Sequence, residues 1–188
     1  MQAEVRALTR QHIIEAMVAL YAESWLDQIT LDQVAKQAGV TVQTVLRHFG
    51  TKEALIAAAG RQVNDAENAR RADIPVADLE GALAYLMDHY ETVGDQVLRG
   101  LAQEGRYPEL AVLMEEGRVG HRAWVARVFS TYLEQRSGAD RDRLLAQLVA
   151  ICDVYTWKLL RRQAGLSREQ TALAIRELLL PLLADRPE

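Results

Sequence analysis

The sequence is short of the residues that staple, bridge or anchor a protein. Cys152 is its single cysteine, so one chain can neither close a disulfide nor supply the two or more thiolates of a cysteine zinc site. It reads as a small buried hydrophobe on a helix. No apolar run approaches the roughly 20 residues of a membrane span, and the opening MQAEVRALTRQH is polar and charged where a secretory signal would be apolar. A cytoplasmic protein without membrane association is expected. Catalytic signatures are missing too, with no phosphate loop, nucleophile elbow or HExxH. Di-iron bundles use Glu-x-x-His pairs, yet the residues three before His12, His48, His89 and His121 are Thr9, Val45, Leu86 and Arg118. Neither an enzyme nor a cofactor or metal is expected. Acid is absent from one stretch in particular. The net charge is −4, from 22 basic and 26 acidic residues, which argues against a whole surface built for nucleic acid. From Gln33 to Lys52, however, there is no Asp or Glu, while Lys36, Arg47 and Lys52 are basic and His48 can be.

What is present is helical. No strand alternation appears, and apolar residues recur at intervals of three and four, so the class is all-α, with about nine helices. A first helix is predicted over Val5 to Ser24, with Leu8, Ile13, Ile14, Met17, Leu20 and Tyr21 inward. Thr30 with Gln33 forms a capping-box pattern ahead of a second helix whose inward residues are Leu31, Val34, Ala35 and Ala38. Gly39 suits the left-handed position after it. Thr41 caps a short third helix, with Val42 or Val45, Leu46 and Phe49 inward and Gln43, Thr44, Arg47 and His48 outward. Thr51 caps a fourth helix, which carries Leu55, Ile56 and Val63 and ends near Asp73.

Beyond Pro75, a fifth helix is predicted over Val76 to Val93, closed by Gly94, and a short sixth over Asp95 to Gln103. A seventh runs from Pro108 to Ser137-Gly138, with Gly117 and Gly120 as possible bends. The eighth, Asp140 to Gln163, carries two apolar stripes. The ninth, capped by Ser167 with Gln170, is rich in leucine. The last two present more apolar surface than a monomer buries, which predicts a homodimer.

The third helix has the features of one that enters a major groove: outward hydrogen-bonding residues near its start and a packed inner face. Gln43 can pair with an adenine edge, Thr44 can bond a base edge or pack on thymine, and Arg47 can reach guanine or phosphate. Lys52, beside the free N–H groups of the fourth helix, suits a phosphate, and Thr30 and Thr41 can act likewise. The candidate DNA-binding set is Thr30, Thr41, Gln43, Thr44, Arg47, His48 and Lys52. A helical adaptor that only dimerises is the alternative, but it leaves that polar outward face without a purpose.

The spacing of Thr30, Val34, Ala35, Ala38-Gly39-Val40-Thr41, Thr44, Arg47-His48-Phe49, Lys52-Glu53 and Leu55 resembles the N-terminal domain of tetracycline-repressor-type (TetR family) transcriptional regulators. Two positions depart from it: Gln43 stands where Gly is common, and Leu46 where a phosphate-binding Tyr is usual. The resemblance implies a three-helix DNA-binding domain, residues 1–50, and a helical ligand-binding and dimerisation domain, residues 51–188. It also implies that helix 4 is the connector and that the last two helices form a four-helix bundle with a partner. Recognition helices about 34–36 Å apart would read a palindromic operator. A small effector held among helices 5 to 8 would release the repressor by favouring one state. The candidate ligand residues are Tyr85, His89, His121, Trp124, Asp153 and Trp157, polar-tipped or aromatic groups on or beside apolar stripes, which suit a mainly apolar or aromatic molecule.

Overall fold

The computed structural model describes residues 1–184, so the last four residues of the expected second domain lie outside the described residues. The described residues form ten α-helices and no strand. They are α1 (Gln2–Glu23), α2 (Leu31–Gln37), α3 (Val42–Phe49), α4 (Lys52–Ala72), α5 (Leu79–Gln103), α6 (Pro108–Val128), α7 (Ser130–Leu133), α8 (Gly138–Ile151), α9 (Val154–Trp157) and α10 (Arg168–Leu183). A 3-10 turn at Leu26–Gln28 follows α1, and a π-helical segment at Lys158–Gln163 follows α9.

The chain packs as two compact units, residues 1–67 with 99–117, and residues 68–98 with the chain from 118 onward. The core of the first unit reaches well past residue 50. Ile13, Ile14 and Met17 of α1, Val34 and Ala35 of α2 and Val45 of α3 share one cluster with Leu55, Ile56, Leu110 and Leu113. Burying such side chains contributes about 1.5–3 kcal/mol each, and Leu55, Ile56, Leu110 and Leu113 add to what the first three helices bury. The apolar stripe of α1 begins at Ile13, since Leu8 lies 60% exposed, and Val63 of α4 is also outside the core.

The loop between α1 and α2 is held by buried polar groups. The Leu26 N–H donates to Gln103 Oε1 at 3.3 Å, and the Leu26 carbonyl accepts from Lys52 Nζ at 2.9 Å. Leu26 and Gln103 are both buried, so these bonds satisfy backbone groups that water does not reach. At the end of α1, Arg99 donates to the Tyr21 and Ala22 carbonyls, which have no further helical turn to bond.

In the second unit, three helix boundaries differ from the sequence expectation. Gly94 does not end a helix: α5 runs unbroken from Leu79 to Gln103. A Cβ at Gly94 would sit 2.6 Å from the Trp157 ring, so the glycine is there for close packing. The long helix from Pro108 stops at Val128, because the Val128 carbonyl accepts from the Ala77 N–H at 2.8 Å while Tyr132 N bonds to Phe129 instead. Ala77 adopts φ 61° there, a left-handed backbone uncommon outside glycine. The helix expected over Asp140 to Gln163 breaks at Cys152-Asp153. Asp153 is extended and its carboxylate accepts from the Tyr155 N–H at 2.9 Å, a local bond that competes with the helix ladder. Tyr90 donates its hydroxyl to the Cys152 carbonyl at 2.9 Å.

Past this break, Tyr155 and Leu159, expected to continue the apolar stripe of Leu144, Leu148 and Ile151, are exposed, and Leu173, Leu178 and Leu180 of α10 are exposed too. Leu144, Leu145, Leu148, Ile175 and Leu179 of α8 and α10 are buried. Among the described residues, no helix is long and apolar enough to cross a membrane.

Candidate nucleic-acid interface and buried aromatic cluster

The turn between α2 and α3 is built from local chemistry. Thr30 Oγ1 accepts from the Gln33 N–H at 3.2 Å and Gln33 Oε1 accepts from the Thr30 N–H at 2.7 Å, completing the capping box. Gly39 takes φ 68°, and the Val40 N–H returns to the Ala35 carbonyl. Thr41 Oγ1 accepts from the Thr44 N–H at 3.2 Å and lies 3.0 Å from Thr44 Oγ1. Gly50 closes α3 at φ 78°, and Thr51 accepts from the Ala54 N–H to start α4. Such caps typically contribute about 1 kcal/mol each, enough to fix a helix of only eight residues.

Val45 is fully buried, Val42 and Phe49 are half-buried, and Gln43 and Arg47 are exposed. Leu46, expected inward, lies 39% exposed beside them, because Val45 takes the inward position and the next residue of a helix turns about 100° away. Thr44 and His48 are half-buried, and Thr30 and Thr41 are exposed. Lys52 is half-buried, its ammonium tethered to the Leu26 carbonyl with two N–H donors to spare.

Two residues outside the candidate set join this face. The Arg10 guanidinium lies over the Phe49 ring, 5.0 Å from its centroid. Burial, followed by the charges of Arg47, Arg6 and Arg10, lowers the His48 pKa, so His48 is held toward neutrality amid three permanent cations from α1 and α3. The face is therefore positive through its arginines.

In the second unit, four of the candidate ligand residues come together. Ring centroids lie 5.6 Å apart for Tyr85 and His89, 5.1 Å for Tyr85 and Trp124, and 5.7 Å for His121 and Trp124. His89, His121 and Trp124 are buried. Burial, then the charge of Arg71, pulls the His121 pKa down to about 4, against a hydrogen bond to the Val149 backbone. The imidazole is thus neutral. Its Nε2 and the Trp124 Nε1 are buried without a hydrogen-bond partner in the described residues. Buried polar atoms of this kind are rare and call for a partner, since leaving one unsatisfied costs about 1–3 kcal/mol.

Trp157 and Asp153 stand apart in role. Trp157 Nε1 donates to Glu91 at 3.2 Å, its ring stacks under Arg162 at 4.5 Å, and its ring neighbour Tyr90 in turn meets His89. Asp153 caps α9, and burial raises its pKa. Arg71, whose Nε donates to Tyr85 at 3.0 Å, was not singled out by the sequence, where it sits in a run of charged residues. Cys152 is buried, and burial pushes its thiol pKa up to about 12, so it is unreactive near neutrality.

Residues 13–59 match the profile of bacterial regulatory proteins of the tetR family. HTH-type transcriptional regulator BetI 2 of Chromohalobacter salexigens is 24% identical over 141 residues, 75% of this chain, and the chain spans 62% of that relative's length. A transcriptional regulator from Rhodococcus sp. Rha1 shares the fold with TM-score 0.73 and 21% identity, over 93% of this chain and 95% of the other. FadR from Bacillus subtilis, solved in complex with stearoyl-CoA, gives TM-score 0.67 and 19% identity over 90% and 97%. A TetR family member from Streptomyces coelicolor gives 0.63 and 22% over 90% and 97%. The caps and glycines of α2 and α3 lie inside the matched stretch, so residues 13–59 carry the chain's likeness to the tetR family of bacterial regulatory proteins.

Proposed function

We propose that the protein is a cytoplasmic, DNA-binding transcriptional repressor that binds a palindromic operator as a homodimer and is released by a small, mainly apolar or aromatic ligand. The observation that carries this reading is the outward face of α3, where Gln43 and Arg47 project from a firmly capped helix in an acid-free stretch flanked by Arg6 and Arg10. Gln43, Thr44 and Arg47 are assigned to base edges. Thr30, Thr41, His48 and the spare donors of Lys52 are assigned to phosphates, with residues 1–50 as the DNA-binding domain and 51–188 as the regulatory one. The exposed apolar residues Tyr155, Leu159, Leu173 and Leu178 support a dimer surface on the last helices.

The ligand part is supported by the unpartnered His121 Nε2 and Trp124 Nε1, one acceptor and one donor set among aromatic rings. Tyr85 and His89 line the same cluster, while Trp157 and Asp153 are assigned to its support. FadR of Bacillus subtilis, which shares the fold, is seen with stearoyl-CoA, and the apolar acyl chain of that ligand supports the reading.

The DNA part is tested by selection from a random duplex pool with the full-length protein. A two-fold-symmetric consensus is expected, with half-sites one helical turn or a multiple apart; a bound pool no different from the input would refute it. For the ligand, compounds that raise the melting temperature and release DNA should do both less well with Trp124→Phe. Equal release from that variant would remove Trp124 from the site.

A further inference from the structure

We infer that Leu46 is a specificity-determining residue that packs on the C5-methyl group of a thymine in each half-site. This rests on the proposed DNA-binding role of α3 and adds the base chemistry it reads. A single exposed leucine is ordinary on a protein surface; its company makes this one different. Residues 43, 46 and 47 share one helix face by their i, i+3 and i+4 spacing, and all three are exposed. Among the described residues, neither Gln43 nor Arg47 is held by a hydrogen bond or ion pair within the chain. Leu46, 39% exposed between them, likewise stays outside the core that buries Val45.

The surroundings select the occupant. Arg6, Arg10 and Arg47 act on His48 from α1 and α3, and the stretch from Gln33 to Lys52 holds no acid, so the face is complementary to a polyanion. A protein partner would leave these arginines needing acidic mates, whereas DNA supplies phosphates around every base. Within the major groove, the apolar group that a base pair presents is the thymine methyl. Leu46 lacks any donor or acceptor, so it can contribute to base choice only through that methyl. Gln43, three residues earlier on the same face, suits an adenine edge, which places an A·T-containing step under the first turns of α3.

The experiment uses the full-length protein and the duplex it selects from a random pool, with deoxyuridine replacing thymine at one symmetric pair of positions at a time. Removing the methyl that Leu46 covers should weaken binding about fourfold per half-site, from the transfer free energy of one methylene-sized group, or roughly fifteenfold for the dimer. Leu46→Ala, at an exposed helical site, should keep its melting temperature and bind the thymine and deoxyuridine duplexes equally. The inference is overturned if no deoxyuridine pair weakens the wild type, if the selected site has no thymine, or if the loss persists undiminished in Leu46→Ala. Failure of the DNA-binding reading itself would look different, since no sequence would then be selected.

Discussion

Acidification should destabilise the protein through one imidazole. His121 is buried, and its pKa in the folded protein is about 4, against about 6.5 for an unperturbed histidine. Its neighbours are Arg71 and His89, whose charges oppose protonation, and the Val149 backbone, which favours it too weakly to prevail. Between these two pKa values the unfolded chain binds a proton that the folded chain refuses. The stability that His121 contributes is therefore full above about pH 6.5 and falls as the pH drops toward 4. At about 1.36 kcal/mol per pH unit, the loss is about 2 kcal/mol by pH 5 and about 3 kcal/mol at its limit.

The assay is urea unfolding at pH 7.5, 6 and 5 for the wild type and for His121→Phe, which keeps an aromatic ring and removes the titration. Carboxylates elsewhere titrate alike in both proteins, so their difference isolates His121. The wild type should lose about 2 kcal/mol more than the variant between pH 7.5 and 5. Parallel decline of the two proteins would show that the folded pKa is not depressed.

Gly94→Ala should lower stability by about 1–2 kcal/mol in a thermal or urea melt. The new methyl meets the Trp157 ring at 2.6 Å, and that overpacking outweighs the roughly 1 kcal/mol gained in helix propensity. Thr41→Ala removes the side-chain acceptor of the Thr44 N–H, which keeps its bond to the Thr41 carbonyl at 2.9 Å, and should cost about 1 kcal/mol while loosening α3; an unchanged urea melt would contradict this. Arg47→Ala should leave the melt unchanged and weaken DNA binding by about 1–3 kcal/mol if it bonds a base. Lys52→Ala should do two things at once: lower the salt slope of DNA binding by about 1, and cost about 1 kcal/mol of stability by leaving the Leu26 carbonyl with the long bond from the Ile29 N–H at 3.4 Å. A Lys52→Ala protein with both readouts unmoved would remove it from both roles.

How much of this was legible in the sequence follows the range of the forces involved. The caps at Thr30, Thr41 and Ser167, with Gln33 and Gln170 answering, and the left-handed Gly39 act within four residues, so the chain displays them directly. Gly94 misleads because a glycine needed for a close ring contact looks the same as one that ends a helix; Trp157 lies far along the chain. The break at Cys152-Asp153 hides inside an apolar run, although an aspartate followed two residues later by an N–H it can cap is a visible signal. Lys52 was read for its charge alone, and its bond to Leu26 appears only once the loop is folded back. The gathering of Tyr85, His89, His121 and Trp124 was readable as a set from helical stripes, while Arg71 was obscured by the charged residues around it.

The central claim is that α3 reads a DNA sequence, and the ratio of two affinities tests it most directly. With the full-length protein at one fixed salt concentration, binding to the selected duplex is compared with binding to a scrambled duplex of the same composition. A ratio of about 10³ or more is predicted, in the range of specific over non-specific binding, and it should fall when Gln43, Leu46 and Arg47 are replaced together by alanine in a protein that still melts normally. Equal affinity for the two duplexes, or a ratio indifferent to that triple replacement, would contradict the account.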